Sequence, residues 1–165
     1  MEDTTEIEKV LFDFVSYVKR FNQYLTDKYQ LKDNPFNVKG RAFPKSALEI
    51  IETIPVEYKF HGGGCTIKWE GLEIMYNIDV SSINDIVVSS YEIVKFISTN
   101  PQFSTHLNYS YDSMHHILEI LEKKGVLMTR KPSDLGAFHI NLSWYEIYKD
   151  GGVFDGANKD NIDWL

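Results

Sequence analysis

The chain has 165 residues, 43% of them hydrophobic and 25% charged, with a formal net charge of −7 and a single cysteine. That size and balance fit one soluble domain large enough for a real core, and one cysteine excludes an internal disulfide. The charge excludes general affinity for nucleic-acid phosphates and for anionic membranes, and no apolar run approaches the roughly eighteen residues of a membrane helix, so a cytoplasmic protein is expected.

The N-terminal segment, 1–31, is read as a long amphipathic helix over about residues 5–30. Thr5-Glu6-Ile7-Glu8 matches a capping box with Thr5 as N-cap. Ile7, Leu11, Phe14, Val18, Phe21 and Leu25 then recur at alternating four- and three-residue steps, and Val10, Val15, Tyr17 and Tyr24 widen the stripe. A stripe this broad suits a helix laid on a sheet. Segment 32–53 reads as an extended basic connector after Asn34-Pro35, then a short helix opened by Ser46-Ala47-Leu48-Glu49 and stopped by Pro55.

Over 54–80 the period becomes two. Ile54, Val56, Tyr58 and Phe60, then Cys65, Ile67 and Trp69, then Leu72, Ile74, Tyr76, Ile78 and Val80 alternate with polar residues, and Gly71 permits a turn. This predicts a three-stranded antiparallel meander with one apolar face. Segment 84–125 predicts two helices. The first is capped by Asn84 or Asp85 and carries Ile86, Val87, Ile93, Val94 and Ile97. The second runs from Asp112 to Lys124, with Met114, Ile117, Leu118 and Leu121 inward and Gly125 as its stop. Segment 126–149 predicts a C-terminal hairpin, with Phe138, Ile140 and Leu142 on one side of its return strand, and 150–165 an acidic tail. The fold class expected is α+β, a single domain in which the long helix and two later ones cover an antiparallel sheet.

Several chemistries are suggested by residue types and fail on spacing. His61-Gly62-Gly63-Gly64 has the composition of an esterase oxyanion hole, but no Gly-x-Ser-x-Gly elbow follows. Cys65 with His61 has the types of a nucleophile and base. Alternation turns Cys65 toward the apolar face, where a thiol is inert and the glycines serve a tight turn or bulge. His115 and His116 point to different faces of their helix and no Cys-x-x-Cys occurs, so no metal site is expected. The segment from Asp155 to Asp160 lacks the alternating acids of a calcium loop. A helix followed by a hairpin has the order of a winged-helix reader, but that hairpin offers only Arg130 and Lys131.

Charge is uneven. Residues 46–93 hold eight acids against Lys59 and Lys68, and the last sixteen residues hold four Asp against Lys159. Such a face can steer a basic partner.

The Arg41-to-Pro44 segment, the run Phe60-His61-Gly62-Gly63-Gly64-Cys65, the strand ending Asn77-Ile78-Asp79-Val80 and the helix end Leu121 to Gly125 together resemble a bacterial family, domain of unknown function 6896, marked by a His-Gly-x-Gly-Cys motif. The resemblance spans roughly residues 41–142. Its small acidic members are similar to immunity proteins that neutralise bacterial toxins. It implies a non-enzymatic, cofactor-free inhibitor whose partner is a cognate protein toxin with a basic surface. Contacts are expected at Glu70, Glu73 and Asp79 near the meander and at Asp155, Asp163 and Trp164 on the tail, with His61, Gly62, Gly64 and Cys65 as a structural motif. The alternatives are a small cysteine-dependent enzyme using Cys65 and His61, or a generic protein-interaction module. Neither the sequence nor the resemblance sets an oligomeric state.

Overall fold

In the computed structural model, which describes residues 4–30, 45–61, 64–77, 84–100, 102, 109–129 and 137–154, the N-terminal stripe forms one helix, α1 (Thr5–Tyr29). The heptad-spaced residues and Val10, Val15 and Tyr17 are all buried, and Tyr24 is half-buried. The first helical hydrogen bond runs from the Glu8 amide to the Thr4 carbonyl at 2.8 Å, and the Thr4 hydroxyl donates to Glu8 Oε2 at 2.9 Å. The cap is therefore Thr4, one residue before the expected Thr5.

The chain falls into two compact units, residues 16–86 and residues 1–15 with 87–165. The first, the meander unit, contains the second part of α1, the short helix α2 (Lys45–Glu52) and strands β1 (Glu57–His61), β2 (Gly64–Trp69) and β3 (Leu72–Asn77). The strands form one antiparallel sheet in the order β1-β2-β3, as alternation predicts. Cys65, Ile67, Trp69, Ile74 and Tyr76 are buried with Val18, Phe21 and Leu25 of α1, and Ile51 and Ile54 complete this core. Its two buried phenols are satisfied: the Tyr17 hydroxyl donates to the Trp69 carbonyl, and the Tyr76 hydroxyl to Asn22 Oδ1. Burial raises both phenols far above their ordinary range, so they remain donors at any physiological pH.

The β2–β3 turn is set by register. Trp69 pairs with Leu72, leaving Glu70 and Gly71 as a two-residue loop with φ of 51° and 84°. Two positive φ values define the type I′ hairpin turn, whose hand matches strand twist. Glycine meets this freely, whereas Glu70 is held there at a cost of about 1–2 kcal/mol. The connector before Lys45 and the predicted continuation of the third strand, Ile78 to Val80, lie outside the described residues.

The other unit, which we call the split unit, contains the start of α1, strand β4 (Val87–Ser89), helices α3 (Ser90–Thr99) and α4 (Tyr111–Lys123), strands β5 (Leu127–Thr129) and β6 (Ala137–Ile140), and helix α5 (Leu142–Lys149). Two expectations are corrected here. Val87, assigned to a helix, lies in β4, which pairs with β6 and makes the C-terminal hairpin part of a three-stranded sheet ordered β4-β6-β5. The following helix is capped by Ser89 rather than Asn84 or Asp85. The Ser89 hydroxyl accepts from the Glu92 amide at 3.2 Å and donates to the Glu92 carboxylate at 3.3 Å. In addition, residues 142–149 are helical, not the end of a hairpin, so Leu142 opens α5 instead of extending the return strand.

The reason for that second break is Asn141, which is fully buried. Its Oδ1 accepts from the amides of Ser143 and Trp144 at 2.9 and 3.4 Å, capping α5. Its Nδ2 donates to the Gly125 carbonyl at 2.7 Å and its amide to the Val126 carbonyl at 2.9 Å, which ties that cap to the turn ending α4. Gly125 makes the turn with a φ of 80°. At the other end of α4, Ser110 and Ser113 cap reciprocally.

A second polar chain runs from Lys124 Nζ to the Thr4 hydroxyl at 2.7 Å, on to Glu8, and from Glu8 Oε1 to the indole Nε1–H of fully buried Trp144 at 3.3 Å. It binds the start of α1, the end of α4 and α5 inside an apolar setting that includes Phe12 stacked on Tyr145 at 4.9 Å and Phe14 edge-on to Phe96 at 5.2 Å.

Two outcomes follow from these buried polar groups. Asn141→Ala leaves the Gly125 carbonyl unpaired and uncaps α5. It should lower stability to urea by about 2–4 kcal/mol, with Asn141→Ser, which keeps a capping oxygen, losing less. Burial pushes the Glu92 carboxyl from 4.5 up to about 8, and the Ser89 hydrogen bond only partly opposes this. Because the folded value lies above the unfolded one, the stabilisation is full below about 4.5. It declines as pH climbs toward about 8 and is gone above that value. Thermal unfolding across pH 4 to 9 should show this fall in the natural chain and a shallower one in Glu92→Gln.

Candidate partner-binding surface

The glycine-cysteine stretch is a strand joint. Register pairs His61 with Gly64 and Phe60 with Cys65, so Gly62 and Gly63 form the connection; their own conformation lies outside the described residues. Cys65 is fully buried, and burial pushes its thiol up to about 12 against the opposing effect of a backbone hydrogen bond at Lys59. A thiol in that state holds almost no thiolate at neutral pH and is a poor nucleophile or metal ligand. Among the described residues, no three His, Cys, Asp or Glu side chains converge as a metal site requires.

Of the expected acidic contacts at the meander, Glu70 is paired within the chain and Glu73 sits in a cross-strand row of charges. Glu70, on the type I′ turn, accepts from Arg20 Nη2 at 2.7 Å, with the two side chains 55% and 61% exposed. The same guanidinium lies 5.1 Å from the Trp69 ring centroid and 5.7 Å from that of Tyr17. An exposed ion pair of this kind contributes about 0–1 kcal/mol, with the aromatic contact adding a similar amount. Glu73 stands directly across from Lys68, and Lys68 in turn across from Glu57, a cross-strand row of alternating sign. The remaining proposed contacts, Asp79, Asp155, Asp163 and Trp164, lie outside the described residues.

Division of the chain into its two units redistributes the charge. Residues 16–86 hold nine Lys and Arg and nine Asp and Glu, because the basic residues of α1 and the connector offset the acidic meander. The whole net charge of −7 therefore belongs to the split unit, which holds eight basic and fifteen acidic residues. A count along the sequence alone hid this, since it separated Lys19, Arg20 and Lys28 from the strands that share their unit.

The split unit also carries two tyrosines that the sequence reading passed over. Tyr91 in the first turn of α3 is 49% exposed and Tyr111 at the start of α4 is 52% exposed, with ring centroids 5.5 Å apart. Lys95 Nζ lies 5.8 Å from the Tyr91 ring centroid. Their signal was present in the two helix starts: Ser89-x-x-Glu92 and Ser110-x-x-Ser113 set both tyrosines just inside a cap, off the buried stripe. Beside them His115 Nε2 meets Glu119 Oε1 at 3.2 Å, and its Nδ1 lies 3.4 Å from the Ser90 hydroxyl. These are the residue types of a hydrolytic relay, but Ser90 is buried and its hydroxyl contact is long, so the arrangement acts as a tie between α3 and α4.

The architecture defines an α+β domain with two three-stranded antiparallel sheets, and no helix of the described residues is long and apolar enough to cross a membrane. The chain belongs to the family described as domain of unknown function (DUF6896), which it matches over residues 7–144, from the first turn of α1 into α5. No curated protein and no solved structure matches it.

The state of the thiol is directly measurable. At pH 8 the folded protein should resist iodoacetamide, and Cys65 should react only once denaturant opens the meander. Rapid alkylation of the native chain would contradict its burial.

Proposed function

We propose that this protein is a non-enzymatic inhibitor, an immunity protein that acts in the bacterial cytoplasm by binding a cognate toxin through an acidic surface. The observation that carries this reading is the confinement of all net charge to one unit. A concentrated field draws an oppositely charged protein into encounter over a range of about a Debye length, and raises its association rate more than its final affinity. Asp150, which ends α5, belongs to the same unit and adds to that field. In this reading the meander unit is a neutral support. Glu70 serves its internal charge pairing with Arg20, and the His61–Cys65 joint closes a hairpin. The buried, high-pKa thiol supports a structural role for Cys65 rather than a catalytic one.

The test is co-expression with a secreted toxin encoded beside this gene. Growth should be restored by the natural chain and equally by Cys65→Ala, and association of the purified pair should slow about tenfold or more between low and high salt. Protection lost in a folded Cys65→Ala variant, or association indifferent to salt, would overturn the reading.

A further inference from the structure

We draw no further inference here: the strongest candidate, the outer edge of β1 in the meander sheet, where Tyr58 is 40% exposed between the opposite charges of Glu57 and Lys59, carries nothing, because nothing in the structure shows what covers that edge.

Discussion

One helix has to supply the apolar face of two different cores. At 25 residues α1 is about 37 Å long, while the strands run only three to six residues. No single short sheet can bury a stripe of that length. The stripe is divided between two cores: residues 5–15 of α1 belong to the unit of β4, β5 and β6, where Phe12 meets Tyr145 of α5 and Phe14 meets Phe96 of α3, and residues 16–29 belong to the meander unit. Polar satisfaction divides in the same way. Glu8 receives the Trp144 indole and the Thr4 hydroxyl in the split unit, and Asn22 and Trp69 receive the buried phenols in the meander unit. These four buried groups thus find their partners within their own unit, as buried polar groups generally do.

What could be read from the sequence follows from which signals were local. The α1 stripe persists for seven turns, and the meander alternates through three strands with Gly71 at a turn, so both were legible by period alone. Ile86-Val87-Val88 is a short apolar run that fits a helix or a strand equally. Its identity as β4 depends on pairing with β6, some fifty residues later. The start of α5 was masked by the alternation of Phe138, Ile140 and Leu142, which carries on past the true end of the strand at Ile140. Only the long-range bond from Asn141 to the Gly125 carbonyl explains why the chain turns there.

The surface was less legible than the fold, for a related reason. Acidic residues are visible in a sequence, but their partners are not. Glu70 meets Arg20 across fifty positions, and Glu73 is seen to stand opposite Lys68 only once register is known. Reading charge along the chain pointed to both the meander and the tail, whereas grouping it by compact unit leaves only the second of these in the unit that carries the net charge. The glycine-cysteine joint shows the opposite pattern. Its catalytic look came from residue types alone, and strand alternation already indicated the inward Cys65 that the structure places in the core.

The central claim is that negative potential resides on the split unit while the meander unit is electrically neutral. It can be tested without knowing any partner, by comparing amide relaxation enhancements from cationic and neutral nitroxide cosolutes across the whole chain. The account predicts stronger enhancement by the cationic probe at the amides of α3, α4 and α5, and equal enhancement by the two probes at β1, β2 and β3. A preference of the cationic probe for the meander strands, or no difference between the units, would contradict it.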